Sequence, residues 1–335
     1  MRNLGNAMAE DVSGRIVAAI GVTHTPGLGD QMDRPDPTQV RRLLEGFGVV
    51  RQQIEQARPD VIVAFVNDHF DMFTLNGMPG FAIGLGDTHW GPTPETEAWI
   101  QMKRGPVRGH SALALDIHAS LMNDGFELYR FESAEFVHNV LLPKKFLWPE
   151  LDIPVVPIFV NCFVPPLPTW RRAYELGQAL RKVVARRSER VALLASGGIS
   201  HWPPIVLDEF QPGDPLRERL LQVHMHGRAA MKTDPTFPLA LLEREREMAA
   251  SDRELINISW DRDFLERLAK GDVDYLTNLR HEDVRAVAGS GGAEMLLWVA
   301  LMGAMNAAKA RVVMYEPVKE WMGGVGLLIY AVNQG

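Results

Sequence analysis

Three short runs of apolar residues in this chain are each followed, within a few positions, by a histidine. The runs and their histidines are residues 16–22 with His24, residues 61–66 with His69, and residues 191–195 with His201. Continuous apolar runs of this length predict buried β-strands. Open α/β sheets bind their ligands outside the carboxyl ends of the strands. We therefore expect the fold to gather the three histidines along one edge of a sheet.

The third run leads into the segment ASGGISHWPP at residues 195–204. Gly197 and Gly198 predict a sharp turn at which the backbone approaches another group closely. The turn would hold Ser200 and His201 at the end of the strand, and the two prolines that follow prevent an immediate helix interior. The alternative interpretation is a strand followed by a tight loop with an incidental histidine.

A segment with helical periodicity, residues 38–58, separates the first two runs. Its apolar residues recur at steps of three and four, and Asp36 or Thr38 can cap its start. A strand–helix–strand unit makes a right-handed crossover, which places both strand ends on one edge of the sheet. We therefore expect His24 and His69 to lie on the same rim.

Further elements are predicted along the rest of the chain. Strands are expected at residues 153–160 and 327–332, and helices at residues 111–123, 169–187 and 293–308. Pro154 and Pro157 favour an edge strand, a bulge or an irregular start over a regular central strand. Residues 77–91 are rich in glycine and proline, so we expect a loop there, and His89 lies in it.

The region from residue 205 to residue 255 is polar and charged. We expect His224 and His226 to be exposed there. Residues 243–247 alternate in charge, which predicts a solvated helix face. After this region, Asp261 is expected to cap a short helix.

The order of these elements predicts an α/β fold, a single three-layer α/β/α domain with a central sheet that is mostly parallel or mixed. The 335 residues and the 46% hydrophobic content suffice for a large core. The sequence contains no internal repeat and no clear linker. We therefore expect one domain over residues 1–335, with residues 1–14 flexible.

The composition disfavours several classes of function. The chain has 35 basic and 42 acidic residues, a net charge of −7, and no basic tract, which argues against nucleic acid as the main partner. Its one cysteine, Cys162, allows neither an internal disulfide nor a multi-cysteine metal site. No apolar run approaches the roughly 18 residues that span a bilayer, and the N-terminal segment lacks an apolar signal core. A cytoplasmic protein is the resulting expectation.

The residue types at the predicted rim match those of a metal site. Mononuclear iron(II) oxygenases hold the metal with two imidazoles and one carboxylate and leave the opposite face open. His24 and His69 offer the imidazoles, and Glu294 offers a carboxylate at the start of an apolar helix. A zinc hydrolase would use the same residue types. The simpler interpretation of Glu294 is an acid that is stabilised by the helix dipole. His138, which lies among apolar residues, resembles a core histidine.

At this point the chain resembles a known family, over residues 16–332. It is similar to the class III extradiol ring-cleavage dioxygenases, the superfamily of the protocatechuate 4,5-dioxygenase catalytic subunit and 2,3-dihydroxyphenylpropionate dioxygenase. The segments that carry the resemblance are SGGISHWPP at residues 196–204, the loop of His24, NDH at residues 67–69, NISWD at residues 257–261, residues 289–298, and EWMGGVG at residues 320–326.

The resemblance implies roles for individual residues. His24, His69 and Glu294 match the iron(II) ligands of the family, and His201 matches its acid/base histidine. His138 matches a second active-site histidine. The family has Asp-His-Gly at that place, whereas this chain has Val-His-Asn. Loss of the acidic neighbour should change how readily His138 takes up a proton.

The activity that the resemblance implies is ring opening of a catechol beside its two hydroxyl groups, with O2 as the second substrate. Ser200 and Trp321 are the expected substrate contacts, and a position in the core is the alternative interpretation of Trp321. The substrate is expected to be a catecholic aromatic acid: gallate, 3-O-methylgallate, a protocatechuate-like compound or a lignin-derived biphenyl catechol. A homo-oligomer, a dimer or larger, is expected. Two alternatives remain open, a zinc-dependent relative that acts on another substrate and a non-catalytic partner subunit.

Overall fold

The computed structural model describes residues 16–332, which form ten β-strands and twelve α-helices. The strands are β1 (Ile16–Val22), β2 (Val61–Val66), β3 (Phe81–Gly84), β4 (Thr88–Gly91), β5 (Gly105–Arg108), β6 (Tyr129–Phe131), β7 (Val155–Val160), β8 (Val191–Ser196), β9 (Ala310–Val318) and β10 (Gly323–Tyr330). The helices are α1 (Pro37–Ala57), α2 (Glu97–Ile100), α3 (Ser111–Asn123), α4 (His138–Leu147), α5 (Trp170–Val184), α6 (Pro215–His226), α7 (Arg228–Thr233), α8 (Phe237–Ala250), α9 (Ile258–Lys270), α10 (Val273–Thr277), α11 (His281–Ala288) and α12 (Met295–Ala304). The expected flexibility of residues 1–14 concerns a segment outside the described residues.

Eight of the strands form one mixed sheet in the order β6-β3-β7-β2-β8-β1-β10-β9. The four inner strands β7, β2, β8 and β1 are parallel to one another. On one side β10 runs antiparallel to β1, and on the other β3 runs antiparallel to β7. The three histidine-terminated strands are therefore direct neighbours, β2-β8-β1, with their carboxyl ends on one edge.

Helices cover both faces of this sheet, because strands buried on both faces need apolar partners above and below. On one face, α1 and α4 close a core that includes Phe47 and Trp148. On the other face, α3, α5, α9, α11 and α12 close a core that includes Trp170 and Trp298. All ten residues of α12 are buried. The predicted three-layer α/β/α fold with a mixed sheet is confirmed, whereas the domain bounds of 1–335 stay a prediction.

The predicted strands β1, β2 and β8 and the helices α1 and α3 lie where the sequence placed them. Asp36 caps α1, because its carboxylate accepts the N–H groups of Thr38 and Gln39. The loop expected at residues 77–91 was wrong, since β3 and β4 occupy most of it. Strand β9 was not predicted, and the expected helix at residues 293–308 is the shorter α12, preceded by a 3-10 turn at Gly292–Glu294.

Of the three alternatives expected for β7, the edge position was wrong, since β7 lies between β3 and β2. Pro154 precedes the strand, and Pro157 lies within it, opposite Ala64 of β2. The pairing with β3 covers only Ile158 to Val160. The ladder with β3 thus stops just before Pro157, so that a residue without an N–H is tolerated inside the sheet.

Among the described residues, no helix combines the length and the apolar character that crossing a membrane requires.

Candidate active site and metal centre

The loops that follow β1, β2 and β8 bring His24, His69 and His201 to one point, as the strand order requires. Glu294 reaches the same point from the 3-10 turn that leads into α12. Its carboxylate is 1% exposed and lies 3.2 Å from His24 Nε2, 3.5 Å from His69 Nε2 and 3.4 Å from His201 Nε2. The N–H of Gly198 donates a hydrogen bond to the same carboxylate. One buried acid thus faces three imidazoles.

His138, the first residue of α4, joins this group. Its ring centroid lies 5.0 Å from that of His24 and 4.3 Å from that of His69. Ligand atoms of these three histidines lie within 4.8 Å of one another. The Nδ1 atoms of His69 and His138 are buried and have no hydrogen-bond partner among the described residues. His138 is therefore part of the cluster, whereas its apolar sequence neighbours had suggested an isolated core residue.

The donor set fits a metal ion. Imidazole nitrogens together with one carboxylate oxygen are ligands that both iron(II) and zinc(II) accept. Two sets of three donors are present: His24 and His69 with Glu294, and His24 and His69 with His138. The first set combines two nitrogens with a charged oxygen, and the second is all nitrogen.

Hydrogen bonds on the far side of two rings orient them. His24 Nδ1 lies 2.9 Å from Ser196 Oγ, at the end of β8. His201 Nδ1 lies 2.9 Å from the carbonyl oxygen of Ile199. Because a carbonyl only accepts, this Nδ1 carries a hydrogen, and Nε2 of His201 is the atom that can gain or lose a proton. That nitrogen faces Glu294 and the cavity.

The ring of His201 lies between two glycines from distant segments. A Cβ on Gly198 would come within 2.2 Å of the ring, and a Cβ on Gly291 within 2.3 Å. Real Cβ atoms do not approach so closely, so an alanine at either place would move the imidazole. This close approach explains why positions 198 and 291 are glycine.

Burial and charge give the clustered groups different protonation states. Burial raises the pKa of Glu294, but the charges of His24 and His201 outweigh it and hold that pKa well below its ordinary value. Burial lowers the pKa of His69 and, helped by His69, lowers that of His138 well below the usual range. Both rings are therefore neutral, as metal binding requires.

His201 differs from the other histidines in the cluster. Burial opposes its charged form, but the carboxylate of Glu294 and the carbonyl of Ile199 raise the pKa of His201 above its ordinary value. A raised pKa favours the protonated form of this imidazole. The geometry thus separates the neutral imidazoles of His69 and His138 from that of His201, which can hold a proton.

Asp261 has a different role from the helix cap that the sequence suggested. Asn257 caps α9, and Asp261 lies inside that helix, fully buried. Its carboxylate accepts the N–H of Ser200 at 2.9 Å and the hydroxyl of Tyr315 at 2.6 Å. Asp261 therefore fastens the loop of His201 to α9 and to strand β9.

We expect Asp261→Ala to lower the free energy of unfolding by about 2–6 kcal/mol, because it leaves the buried N–H of Ser200 and the half-buried hydroxyl of Tyr315 without an acceptor, at about 1–3 kcal/mol each. Urea unfolding would measure this loss. Asp263→Ala is the matched control on the same helix, since Asp263 forms a surface pair with Arg267 at 2.7 Å and such pairs contribute about 0–1 kcal/mol. Equal losses in the two variants would contradict the anchoring role.

A cavity of about 620 Å³ opens from the histidine cluster. Trp321 lines it, donates its indole N–H to the carbonyl of Gln31 at 3.0 Å and packs on Gly27. Ser200 also lines the cavity, but its hydroxyl already accepts the N–H of Asn257 at 2.8 Å. Both expected substrate contacts thus lie at the cavity, and both have structural partners there.

The outer wall of the cavity comes from α6, α7 and α8. The expectation that His224 is exposed was wrong: it is 3% exposed, and its ring stacks on Phe70 with centroids 3.6 Å apart. Phe70 directly follows His69 and adopts a left-handed backbone, φ 67°. The wall is thereby packed against the loop of a candidate ligand. The stretch 205–255 is too polar for periodicity to have indicated this contact.

Two further histidines lie outside the candidate site. His89 lies on β4, is fully buried, and its Nδ1 accepts the N–H of Ala134 at 3.1 Å. His226 is exposed at the end of α6, as expected. Neither lines the cavity.

Comparison with known proteins gives a consistent picture. The family model described as the catalytic LigB subunit of aromatic ring-opening dioxygenase matches residues 18–328. The 2,3-dihydroxyphenylpropionate/2,3-dihydroxicinnamic acid 1,2-dioxygenase of Burkholderia vietnamiensis is 32% identical over 313 residues, which cover 92% of this chain and 95% of the relative. The protein of the same name from Photorhabdus laumondii is 29% identical over 318 residues, 93% and 96% of the two chains. That from Escherichia coli K12 is 30% identical over 323 residues, 92% and 96%.

Proposed function

Because this chain belongs to the LigB family of aromatic ring-opening dioxygenases and is an extradiol ring-cleavage dioxygenase, we propose that it uses iron(II) and O2 to open a catechol that carries a side chain. The observation that carries this proposal is the convergence of His24, His69, His201 and Glu294 at the head of a cavity. A 2,3-dihydroxyphenylpropionate-like compound is the proposed substrate class, since relatives that share about 30% of their residues are named for it.

We assign His24, His69 and Glu294 as the residues that hold the metal. When bound, iron(II) supplies a centre that orients both substrates and passes electrons between them. The carboxylate favours this set over the three imidazoles, because the mixed nitrogen and oxygen set is that of iron(II) oxygenases. Burial keeps His69 neutral and ready to bind.

We assign His201 as the proton-transfer residue. Its Nε2 faces the cavity, and its Nδ1–H is held by the carbonyl of Ile199. It would take a proton from a catechol hydroxyl and later return one as the ring opens. His138, buried and neutral beside the cavity, is the proposed second catalytic histidine and would donate or accept a hydrogen bond to substrate. The neighbours Val137 and Asn139 give it no charged partner.

The cavity walls would orient the substrate and exclude water. Trp321 presents an apolar face on which an aromatic ring can pack. Ser200 positions the backbone next to His201, because its hydroxyl and its N–H are both engaged. The cavity is large enough for a ring with a side chain, which supports a substituted catechol over a bare one.

The assay that tests the proposed function follows ring opening after anaerobic loading with iron(II). The panel would contain 2,3-dihydroxyphenylpropionate, gallate, 3-O-methylgallate, protocatechuate and a biphenyl catechol, with coloured ring-opened product as the readout. Zinc-loaded protein is the control for the alternative of a zinc-dependent relative. Absence of turnover across the panel with iron bound would favour the alternative of a non-catalytic partner subunit. A role in lignin breakdown, a homo-oligomeric state and a cytoplasmic location remain predictions.

Substitution of the histidines distinguishes the two candidate donor sets. We expect His24→Ala and His69→Ala to abolish tight iron binding while the fold is retained, because each removes a ligand. His138→Ala is the matched variant, and we expect it to keep its iron and lose turnover. Metal content after anaerobic dialysis, with circular dichroism for the fold, would measure this. Iron loss in His138→Ala equal to that in His24→Ala would assign the all-nitrogen set.

A further inference from the structure

The outer part of the cavity has an acidic wall. Apart from Glu294, the acids that line it are Asp30, Asp71, Glu95, Glu245 and Glu320, whereas Arg34 is the one Lys or Arg among its described lining residues. Arg34 is exposed at the surface, where it donates to Gln31. Glu95 is paired with Arg228 at 3.3 Å. A negatively charged side chain on a substrate would meet little compensating positive charge there.

Glu245 is one of four acids in this wall, with Asp30, Asp71 and Glu320, that have no hydrogen-bond or ion-pair partner among the described residues. It lies in α8 within the charged stretch at residues 243–247, and the expectation that this whole stretch faces solvent was wrong for Glu245, which is half-buried and lines the cavity. Among residues 16–332, its carboxylate has no hydrogen-bond or ion-pair partner. Neighbouring Arg244 is engaged with Asp214 at 2.9 Å, and Arg246 points to solvent as an exposed residue. The carboxylate is thus left to interact with whatever occupies the cavity.

The surroundings of Glu245 in the cavity are apolar. The lining residues from the same helix and its neighbours include Val223, Phe237, Leu241 and Leu242. A carboxylate among such side chains interacts with a nearby charge more strongly than in water, because the local dielectric constant is lower. Two charges act on it: Asp30, which also lines the cavity and has the same sign, and more weakly Arg246, which has the opposite sign.

From this arrangement we propose that Glu245 selects substrates by the charge of their side chain. Ionised Glu245 repels a carboxylate tail, so the cavity prefers a catechol whose tail is uncharged. The proposal rests on the proposed function and narrows it: the ring and the side-chain length stay those of 2,3-dihydroxyphenylpropionate, whereas the preferred side chain carries no charge when Glu245 is ionised. The cavity proposed here differs from one in which a positively charged side chain binds the carboxylate of the substrate.

The preference should depend on pH. Burial, and then the charge of Asp30, raise the pKa of Glu245 to about 7. Below that pH the group is protonated, carries no charge and tolerates a carboxylate tail. Above it the group is ionised and repels the tail, whose own carboxylate is ionised throughout. Discrimination between charged and uncharged tails should therefore rise as pH increases from about 6 to about 8.

The experiment compares 2,3-dihydroxyphenylpropionate with its primary amide, which has the same size but no charge. The ratio of kcat/KM for the amide to that for the acid cancels every pH effect on the shared catechol ring. We expect this ratio to rise about tenfold between pH 6 and pH 8, the order of a like-charge interaction at intermediate dielectric. In Glu245→Gln the ratio should stay low and flat. Glu243→Gln, an exposed acid of the same helix, should behave like the unaltered protein.

A binding measurement keeps this test separate from the proposed function. Anaerobic calorimetry with phenylpropionate and phenylpropanamide gives the same ratio as dissociation constants, and it needs no ring opening. A ratio that is independent of pH, or one that Glu245→Gln leaves unchanged, overturns the proposal. So does an acid preference that Glu245→Gln abolishes, since Glu245 would then attract the tail. Inactivity toward both catechols together with a Glu245-dependent binding ratio would overturn the proposed function alone.

Discussion

Glu294→Gln is expected to leave a folded protein that binds iron(II) at least about 100-fold more weakly and opens little or no ring. Loss of an outer partner of a metal ligand typically costs 10–100-fold in affinity, and loss of a charged ligand should cost more. The glutamine keeps the size and the hydrogen-bonding capacity of the side chain. It removes the charge that His24 and His201 face at 3.2 and 3.4 Å. Metal content after anaerobic loading and the rate of ring cleavage are the two measurements.

The competing explanation of Glu294 is a favourable interaction with the dipole of α12, which would contribute about 0.3–1 kcal/mol and leave catalysis nearly untouched. The carboxylate faces three histidines and the N–H of Gly198, which that explanation does not require. Glu282→Gln is the matched control, because Glu282 is an exposed acid in the first turn of α11. Full iron occupancy and near-normal turnover in Glu294→Gln would restore the dipole explanation.

His201→Phe is expected to keep its iron and lose turnover by about 10²–10⁴-fold, the usual contribution of a general acid–base residue. Phenylalanine fills the same slot between Gly198 and Gly291, so the fold should be retained. It has no nitrogen to hold the proton that the carboxylate of Glu294 and the carbonyl of Ile199 favour on the imidazole. Single-turnover kinetics of the iron-loaded variant would isolate the chemical step.

The control for this substitution is His226→Phe, an exposed histidine outside the cavity, which should have normal turnover. Loss of iron in His201→Phe would mean that the residue is a ligand and that the acid/base role belongs to another group. His138 would then be the next candidate, since it is the other histidine of the cluster around Glu294 without a proposed metal bond.

The part of the site that could be predicted from sequence depends on local signals. Each of β1, β2 and β8 is a continuous apolar run, and a histidine shortly after such a run must emerge at the strand end. Parallel neighbours then align those ends without further information. His24, His69 and His201 were found in this way, and their adjacency follows from the observed order β2-β8-β1.

The remaining parts of the site depend on contacts between distant segments. Strand β9 and the hydroxyl of Tyr315 reach Asp261 through pairing that no local pattern encodes. The residue type of Asp261 is one that caps helices, yet its position four residues after the true cap, Asn257, places it inside α9, where it is buried. The burial of His224 depends on Phe70, which lies more than a hundred residues earlier. Glu245 lines the cavity because of the way α8 packs against the rest of the protein. Local hydrophobic periodicity carries no information about such contacts between distant segments.

The placement of the His201 ring between Gly198 and Gly291 has a consequence for how such chains can exchange segments. The two glycine-containing stretches, residues 197–201 and 289–294, fit each other at the level of single atoms, although almost ninety residues separate them. A chimera between two relatives with one crossover between residues 202 and 288 would combine stretches that had never been matched. Crossovers that keep both stretches from one parent should preserve function far more often. The two stretches therefore have to be exchanged together.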